Sequence, residues 1–372
     1  MISGTPSLFV SSLSSRRPAG VESFVDRSAR EYVLYGTGKV ALRDGLAGIA
    51  EPGATVLLPS YLPDAVAEPL YELDLEPRYY AVERTLAPDL ADLERRLDHH
   101  TAAVLSVNYF GFPMPGLAEL QSLVDEVGCF LVDDNAHAPL SVDDGTLLGT
   151  RGAVGITSLW KLLPIPNGAV LYLNGDDAIE GYEPSDAAGV QSEVTGEDYR
   201  FVLKSTIGDL LDEYGPLRRS IDAILSSRRE SMAVGGPRDR YESGKTKLSK
   251  LSARMLEKVD PEAIRTARRE NYRAWRRVFA NRSGVEPIFE RLPDGICPQV
   301  FPLRTADPEA LRSELEDCGV GGPKFWPRLS PTVRDDPEYE TANRLASEIL
   351  TLPVHQHVDA GRIEAVGERL RR

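Results

Sequence analysis

Between residues 36 and 174, short apolar runs alternate with segments of helical period, and this alternation constrains the fold more than any other feature of the chain. The runs are TVLLP (55–59), EPRYYAV (76–82), AAVLSVNY (102–109), CFLVDD (129–134) and GAVLYLN (168–174), each of strand length and rich in strand-favouring residues. Between them stand GKVALRDGLAGIA, LPDAVAEPLYELD, LADLERRLD and GLAELQSLVDEVG, whose apolar positions recur three and four apart. Strand, helix and strand in repetition predict an α/β chain built on a mainly parallel, doubly wound, three-layer sheet. Ligands of such sheets bind outside the carboxyl ends of the strands.

After residue 176 the pattern changes. EPSDAAGVQSEVTGEDYR reads as a polar loop, FVLKSTIGDLLDEYGPLRRSIDAILSS as helix, and SMAVGGPRDRYESGKTK as an exposed connection. A long helix is expected at about 261–280, opened by Pro261 in its first turn. QVFPLR, PEALRSELEDCG and a last helix from about 359 suit a smaller α/β domain. The expected division is therefore a large domain over 1–250 and a small one over 251–372.

Composition removes several function classes. A net charge of −14 leaves no basic excess to neutralise phosphates, which argues against nucleic-acid binding. Nothing approaches 18 continuous apolar residues and the first residues lack a secretory pattern, so no membrane span and a cytoplasmic location are expected. Three scattered cysteines make neither a disulfide framework nor a CxxC site. His355 and His357 have no third ligand following, so no metal is expected. Asp143 and Asp144 beside Gly145 read as a turn, and His99 with His100 as a solvated pair.

One lysine stands inside TSLWKLLPIPNGAVLYL (157–173), an apolar run bounded by proline and glycine. The chain has eight lysines, so Lys161 is one of few candidates for lysine chemistry. An ammonium ion there must pair, shift its pKa or be used chemically; the plain alternative is a lysine that snorkels to the surface. A lysine that forms a Schiff base needs rigid, apolar surroundings that favour its neutral amine. Two other pieces precede it. GTGKVAL (36–42) is a glycine-flanked turn opening a helix, where free N–H groups and the helix dipole favour a phosphate, although such turns are also common punctuation. LVDDNAHAPL (131–140) sets Asp133 and Asp134 at a strand end, either to face a ligand or to cap the next helix.

In this order the pieces resemble a fold-type I pyridoxal-phosphate enzyme, and within that superfamily the DegT/DnrJ/StrS aminotransferases, many of which aminate nucleotide-linked keto sugars. TGKVAL, GATVLLPSYLP (53–63), SVNYFGFP (106–113), DDNAHA (133–138) and SLWKLLPIPNGAVLYL are similar to successive family segments. LSKLSARMLEKVDPEAIRTARREN and ILTLPVHQHVD carry the likeness into the C-terminal domain. The resemblance implies Lys161 as the Schiff-base residue and general acid and base, and Asp134 opposite the pyridine nitrogen. It implies Thr37, Gly38, Lys39 and Ser158 around the phosphate, with His137 reaching the cofactor's phenolic oxygen where the family usually has glutamine. It further implies pyridoxal 5'-phosphate as cofactor, an amino-acid donor with glutamate expected, a nucleotide-linked keto sugar as acceptor, and a homodimer.

The family's cofactor-stacking aromatic falls at Pro63, so Tyr61 or Tyr109 is expected in its place. Tyr109, Phe325 and Trp326 are expected on the substrate side. Lyases, aldolases and dehydratases use the same cofactor on this fold, but the dehydratases that resemble the family carry histidine at the lysine position. A non-catalytic regulator would have little use for both Asp134 and Lys161.

Overall fold

The computed structural model describes residues 2–4, 20–213 and 237–371. At its centre are β1 (Glu31–Tyr35), β2 (Thr55–Pro59), β3 (Glu76–Tyr80), β4 (Thr101–Val107) and β5 (Phe130–Asn135). After a small hairpin of β6 (Val142–Asp143) and β7 (Thr146–Leu147) come β8 (Val154–Ser158) and β9 (Ala169–Leu173). The large sheet has the order β1-β9-β8-β5-β4-β2-β3. From β8 to β3 every pairing is parallel, while β9 runs antiparallel to both β8 and β1.

Both faces of this sheet are covered, as the continuous apolar runs require. In β9, Ala169, Leu171 and Leu173 pack into one core while Val170 and Tyr172 pack into another, the period-two alternation of a strand buried on both sides. The first core takes Val40, Ala41, Leu42 and Leu46 of the Gly38–Ala47 helix. The second takes Leu159, Leu162, Leu163 and Ile165 of the lysine loop. β1 was not among the expected strands. It lies at the sheet edge, and of its five residues only Tyr35 is buried, so its sequence lacks the apolar run that marked the others.

A second sheet, β10 (Val285–Pro287), β11 (Val300–Thr305), β12 (Lys324–Phe325) and β13 (Ile349–Pro353), is antiparallel throughout, in the order β10-β11-β13-β12. It packs with helices Pro261–Phe279, Pro308–Asp317, Glu340–Glu348 and Ala360–Leu370. Ile2 bridges Val320, so residues 2–4 lie with this second unit and not with the large sheet.

Two expectations for the connections are modified and one holds. The helix expected over 201–227 starts earlier, at Gly196, and is described to Glu213; residues 214–227 lie outside the described residues. The exposed connection expected over 231–247 contains a helix, Pro237–Ser243, anchored by the buried Tyr241; residues 231–236 lie outside the described residues. At the Asp143–Gly145 turn, Asp144 and Gly145 have φ of 46° and 80°, the left-handed pair of a tight hairpin, as read from the sequence.

Candidate active site

The two aspartates at the end of β5 have different tasks because successive side chains of a strand point to opposite faces. Asp133 is completely buried and accepts hydrogen bonds from Asn108 Nδ2 (2.7 Å) and from the backbone N–H groups of Gly149 (2.9 Å) and Arg151 (3.2 Å). It ties β4 and the 149–151 loop to the sheet. That loop passes so close that a Cβ on Gly155, opposite Asp133 in β8, would stand 1.7 Å from the Gly149 carbonyl oxygen. Among the described residues Asp134 accepts one bond, from the Ala136 N–H at 2.8 Å. Burial pushes its carboxyl up to about 6, against the attraction of Lys161.

Lys161 ends a short 3-10 turn, Leu159–Lys161, that leaves the carboxyl end of β8. The loop closes on itself where Leu159 N–H donates to the Gly168 carbonyl at 2.9 Å, and Leu159, Leu162, Leu163 and Ile165 are buried beneath it. Trp160 points outward and is half exposed, whereas burial lowers the Lys161 ammonium to about 8, opposed by the attraction of Asp134. The residue is partly buried, and among the described residues its ammonium has neither a hydrogen bond nor an ion pair.

The Gly38–Ala47 helix aims its N-terminus at the same place. A Cβ on Gly38 would lie 2.7 Å from Ser158 Oγ, which brings the first turn of the helix and the serine hydroxyl together. Thr37 does not cap the helix; its hydroxyl donates to the Gly244 carbonyl at 3.2 Å, leaving first-turn N–H groups for a ligand. The Lys39 ammonium is held by Glu68 at 3.0 Å, so its contribution beside a phosphate would come from the backbone and not from a free cation.

Aromatic rings form the remaining wall. Tyr109 donates its hydroxyl to the Tyr61 carbonyl at 2.9 Å, Tyr61 donates to the Trp326 carbonyl, and their rings meet at 5.6 and 5.2 Å between centroids. Trp326 also meets His137 edge-on at 4.9 Å and Phe110 at 5.3 Å. It is brought there from the second unit by a bridge between Pro63 and Leu329. His137 Nδ1 accepts the Phe110 N–H at 3.3 Å, and burial together with the nearby Lys161 charge holds the imidazole well below its usual range, hence neutral. Phe325 is not part of this wall: it pairs with Leu350 in β13 and its ring lies under the Arg312 guanidinium at 5.7 Å.

Two residues at the rear of the site were not foreseen. Arg268, 1% exposed, and Gln356 both donate to the Leu162 carbonyl, one residue beyond Lys161, at 3.0 and 3.2 Å. A sequence signal for the first exists: Ile264, Tyr272, Trp275 and Phe279 make the buried stripe of the Pro261–Phe279 helix, and Arg268 interrupts it at a position spaced for an apolar residue.

A desolvated carboxylate, a desolvated amine, a neutral imidazole and a helix N-terminus with a serine hydroxyl thus converge. This donor set fits a flat, phosphate-bearing cofactor with a cationic ring nitrogen and an electrophilic carbon.

Residues 36–181 match the model of the DegT/DnrJ/EryC1/StrS aminotransferase family. A dTDP-4-dehydro-2,3,6-trideoxy-D-glucose 4-aminotransferase of Saccharopolyspora spinosa is 34% identical over 127 residues, 32% of each chain, so the alignment spans about a third of that relative's length. Among solved structures, DesV of S. venezuelae superposes with a TM-score of 0.68 at 20% identity, covering 97% of this chain and 91% of its own. The E. coli GDP-4-keto-6-deoxy-D-mannose-3-dehydratase, solved with bound hydrated PLP, superposes at 0.63 with 14% identity, over 94% and 90%. The fold is the expected fold-type I α/β fold, and DesV and the dehydratase share it alike.

Proposed function

On the premise that residues 36–181 carry the pattern of the DegT/DnrJ/EryC1/StrS aminotransferases, we propose that this protein is a pyridoxal-phosphate-dependent aminotransferase that moves an amino group from an amino acid, glutamate in the first instance, to a nucleotide-linked keto sugar. The observation that carries this reading is the pairing across one site of a desolvated amine at Lys161 with a desolvated carboxylate at Asp134.

Pyridoxal phosphate, when bound, supplies an electron sink for the carbon that exchanges the amino group. The chain's own residues do the rest. Lys161, its pKa lowered to about 8, would offer a neutral amine to the cofactor's carbonyl carbon, and its Nζ is the group suited to carry a proton between the donor carbon and the cofactor. Asp134, ionised, would balance a protonated ring nitrogen, which relieves the burial that raises its carboxyl in the free protein. The first-turn N–H groups at Gly38 and Lys39, with the Ser158 hydroxyl, would hold the phosphate. Neutral His137 offers one ring nitrogen, the other being occupied by the Phe110 N–H. Tyr61, Tyr109 and Trp326 would exclude water and flank the acceptor. The reading includes a homodimer and a division between the cofactor and small domains near residue 250.

The test is the visible absorption of purified protein supplied with pyridoxal phosphate, with Lys161→Ala alongside. A visible band in the native protein that is absent from the variant, and bleached by glutamate, is the expected result. A band that no amino donor moves would replace transamination with a lyase-type reaction, and no band at all would end the enzymatic reading.

A further inference from the structure

We propose that Arg268 is a positioning residue for Lys161, holding the peptide that follows the lysine in fixed register with the opposite wall of the site; this rests on the reading of Lys161 as the cofactor lysine. The guanidinium makes hydrogen bonds in three directions. Nη2 donates to the Leu162 carbonyl at 3.0 Å, Nε to Gln356 Oε1 at 3.0 Å, and Nη1 to the Pro298 and Gln299 carbonyls at 3.1 and 3.0 Å. Gln356 closes the loop by donating Nε2 to the same Leu162 oxygen at 3.2 Å. From Gln299 the connection continues to the far wall: its N–H donates to the Phe110 carbonyl at 2.8 Å, and the Phe110 N–H donates to His137 Nδ1.

The cost of this arrangement is what distinguishes it from ordinary packing. Among the described residues Arg268 has no carboxylate partner, so a buried cation is balanced by neutral oxygens alone. On the same helix Ile264, Tyr272 and Trp275 make apolar buried contacts; Arg269 and Asn271 are buried too and donate to backbone carbonyls, but Arg269 has the Asp294 carboxylate beside it and Asn271 carries no charge. A planar fork of fixed donors does what an apolar side chain cannot: it sets the orientation of several peptide planes at once. One anchored segment follows the lysine directly, and the other, Pro298–Gln299, is linked to the imidazole through Phe110.

The experiment compares cofactor-free native protein with Arg268→Lys, Arg268→Met and Gln356→Leu. Each is mixed with pyridoxal 5'-phosphate; the rate at which the visible band appears and the pH at its half-height are recorded, and borohydride trapping with peptide mapping locates the bond. Folding is monitored separately by circular dichroism. A native protein that forms no band at Lys161 would sink the proposed function and this inference together. Given a native band, folded Arg268→Lys and Arg268→Met are expected to capture the cofactor about tenfold to a hundredfold more slowly, the loss that accompanies a displacement of about 1 Å, with a shifted pH midpoint. Gln356→Leu is expected to lose less, because Arg268 still holds Leu162. Variants that melt earlier yet capture the cofactor at the native rate and pH midpoint would overturn the inference. If Arg268→Met does not fold, the other two variants decide it by the same criteria.

Discussion

At the residue scale, the site is defined by two groups whose burial displaces them toward each other's range. With its pKa lowered from 10.5 to about 8, Lys161 has a substantial neutral fraction at pH values where an ordinary lysine has almost none. Borohydride trapping of a small aldehyde on cofactor-free protein should therefore rise through about pH 8 at Lys161 alone. Asp134 attracts the ammonium and works against the depression, so Asp134→Asn should move that curve to lower pH; a shift to higher pH, or none, would contradict the coupling. With cofactor and both substrates present, Lys161→Ala should lose at least the factor of about 10²–10⁴ that a positioned acid and base supplies, measured as kcat. That Lys161 needs a chemical reason was legible in the sequence, as a charge set in an apolar run, whereas the choice of Asp134 over Asp133 came from the resemblance alone. The separate duty of Asp133 was not legible, since it depends on a loop 16 residues onward turning back to donate the Gly149 N–H.

At the scale of elements, the site depends on places where backbones approach too closely for a side chain. Gly155→Ala would drive a methyl into the Gly149 carbonyl, so strand and loop must part; a loss of about 3 kcal/mol or more is expected, read as a lower denaturation midpoint. Gly38→Ala meets only the Ser158 hydroxyl, which can rotate. It should leave the midpoint nearly unchanged while weakening pyridoxal phosphate binding in an equilibrium titration, and equal damage to both would argue that the helix start is merely structural. The parallel strands could be read in advance because burial on both faces gives unbroken apolar runs. The edge strand β1, half exposed, gave no such run, and the reversed direction of β9 has no local signature because GAVLYL would serve equally well either way. Arg268 went unnoticed among the many arginines of its helix, although its place on the buried stripe set it apart.

At the scale of the whole molecule, buried titratable groups link stability to pH in opposite senses. His355 donates Nε2–H to the Ser3 carbonyl at 2.8 Å, accepts the His357 N–H at Nδ1, and is pulled by burial from 6.5 to about 3. The unfolded chain binds a proton here between about pH 6.5 and 3 while the folded chain does not, so this group's contribution falls as pH falls through that window. Asp134 is raised from 3.8 to about 6, so the folded chain binds the extra proton and that contribution grows as pH falls from about 6 to 4. Denaturant titrations across pH 4–6.5 should show His355→Gln flattening the acid-side loss and Asp134→Asn steepening it; identical slopes in both variants would refute the assignment. The reversal of β9 has a consequence for how the molecule opens. Asp134, Ser158 and the return from Lys161 stand on three adjacent strands, β5, β8 and β9, near the middle of one hydrogen-bonded ladder. No single strand among them can detach without breaking a pairing on each side, so their amides should exchange with solvent only through the largest openings, as one cooperative unit. These groups would then be lost together or not at all, and a partly unfolded chain would carry no half-formed site.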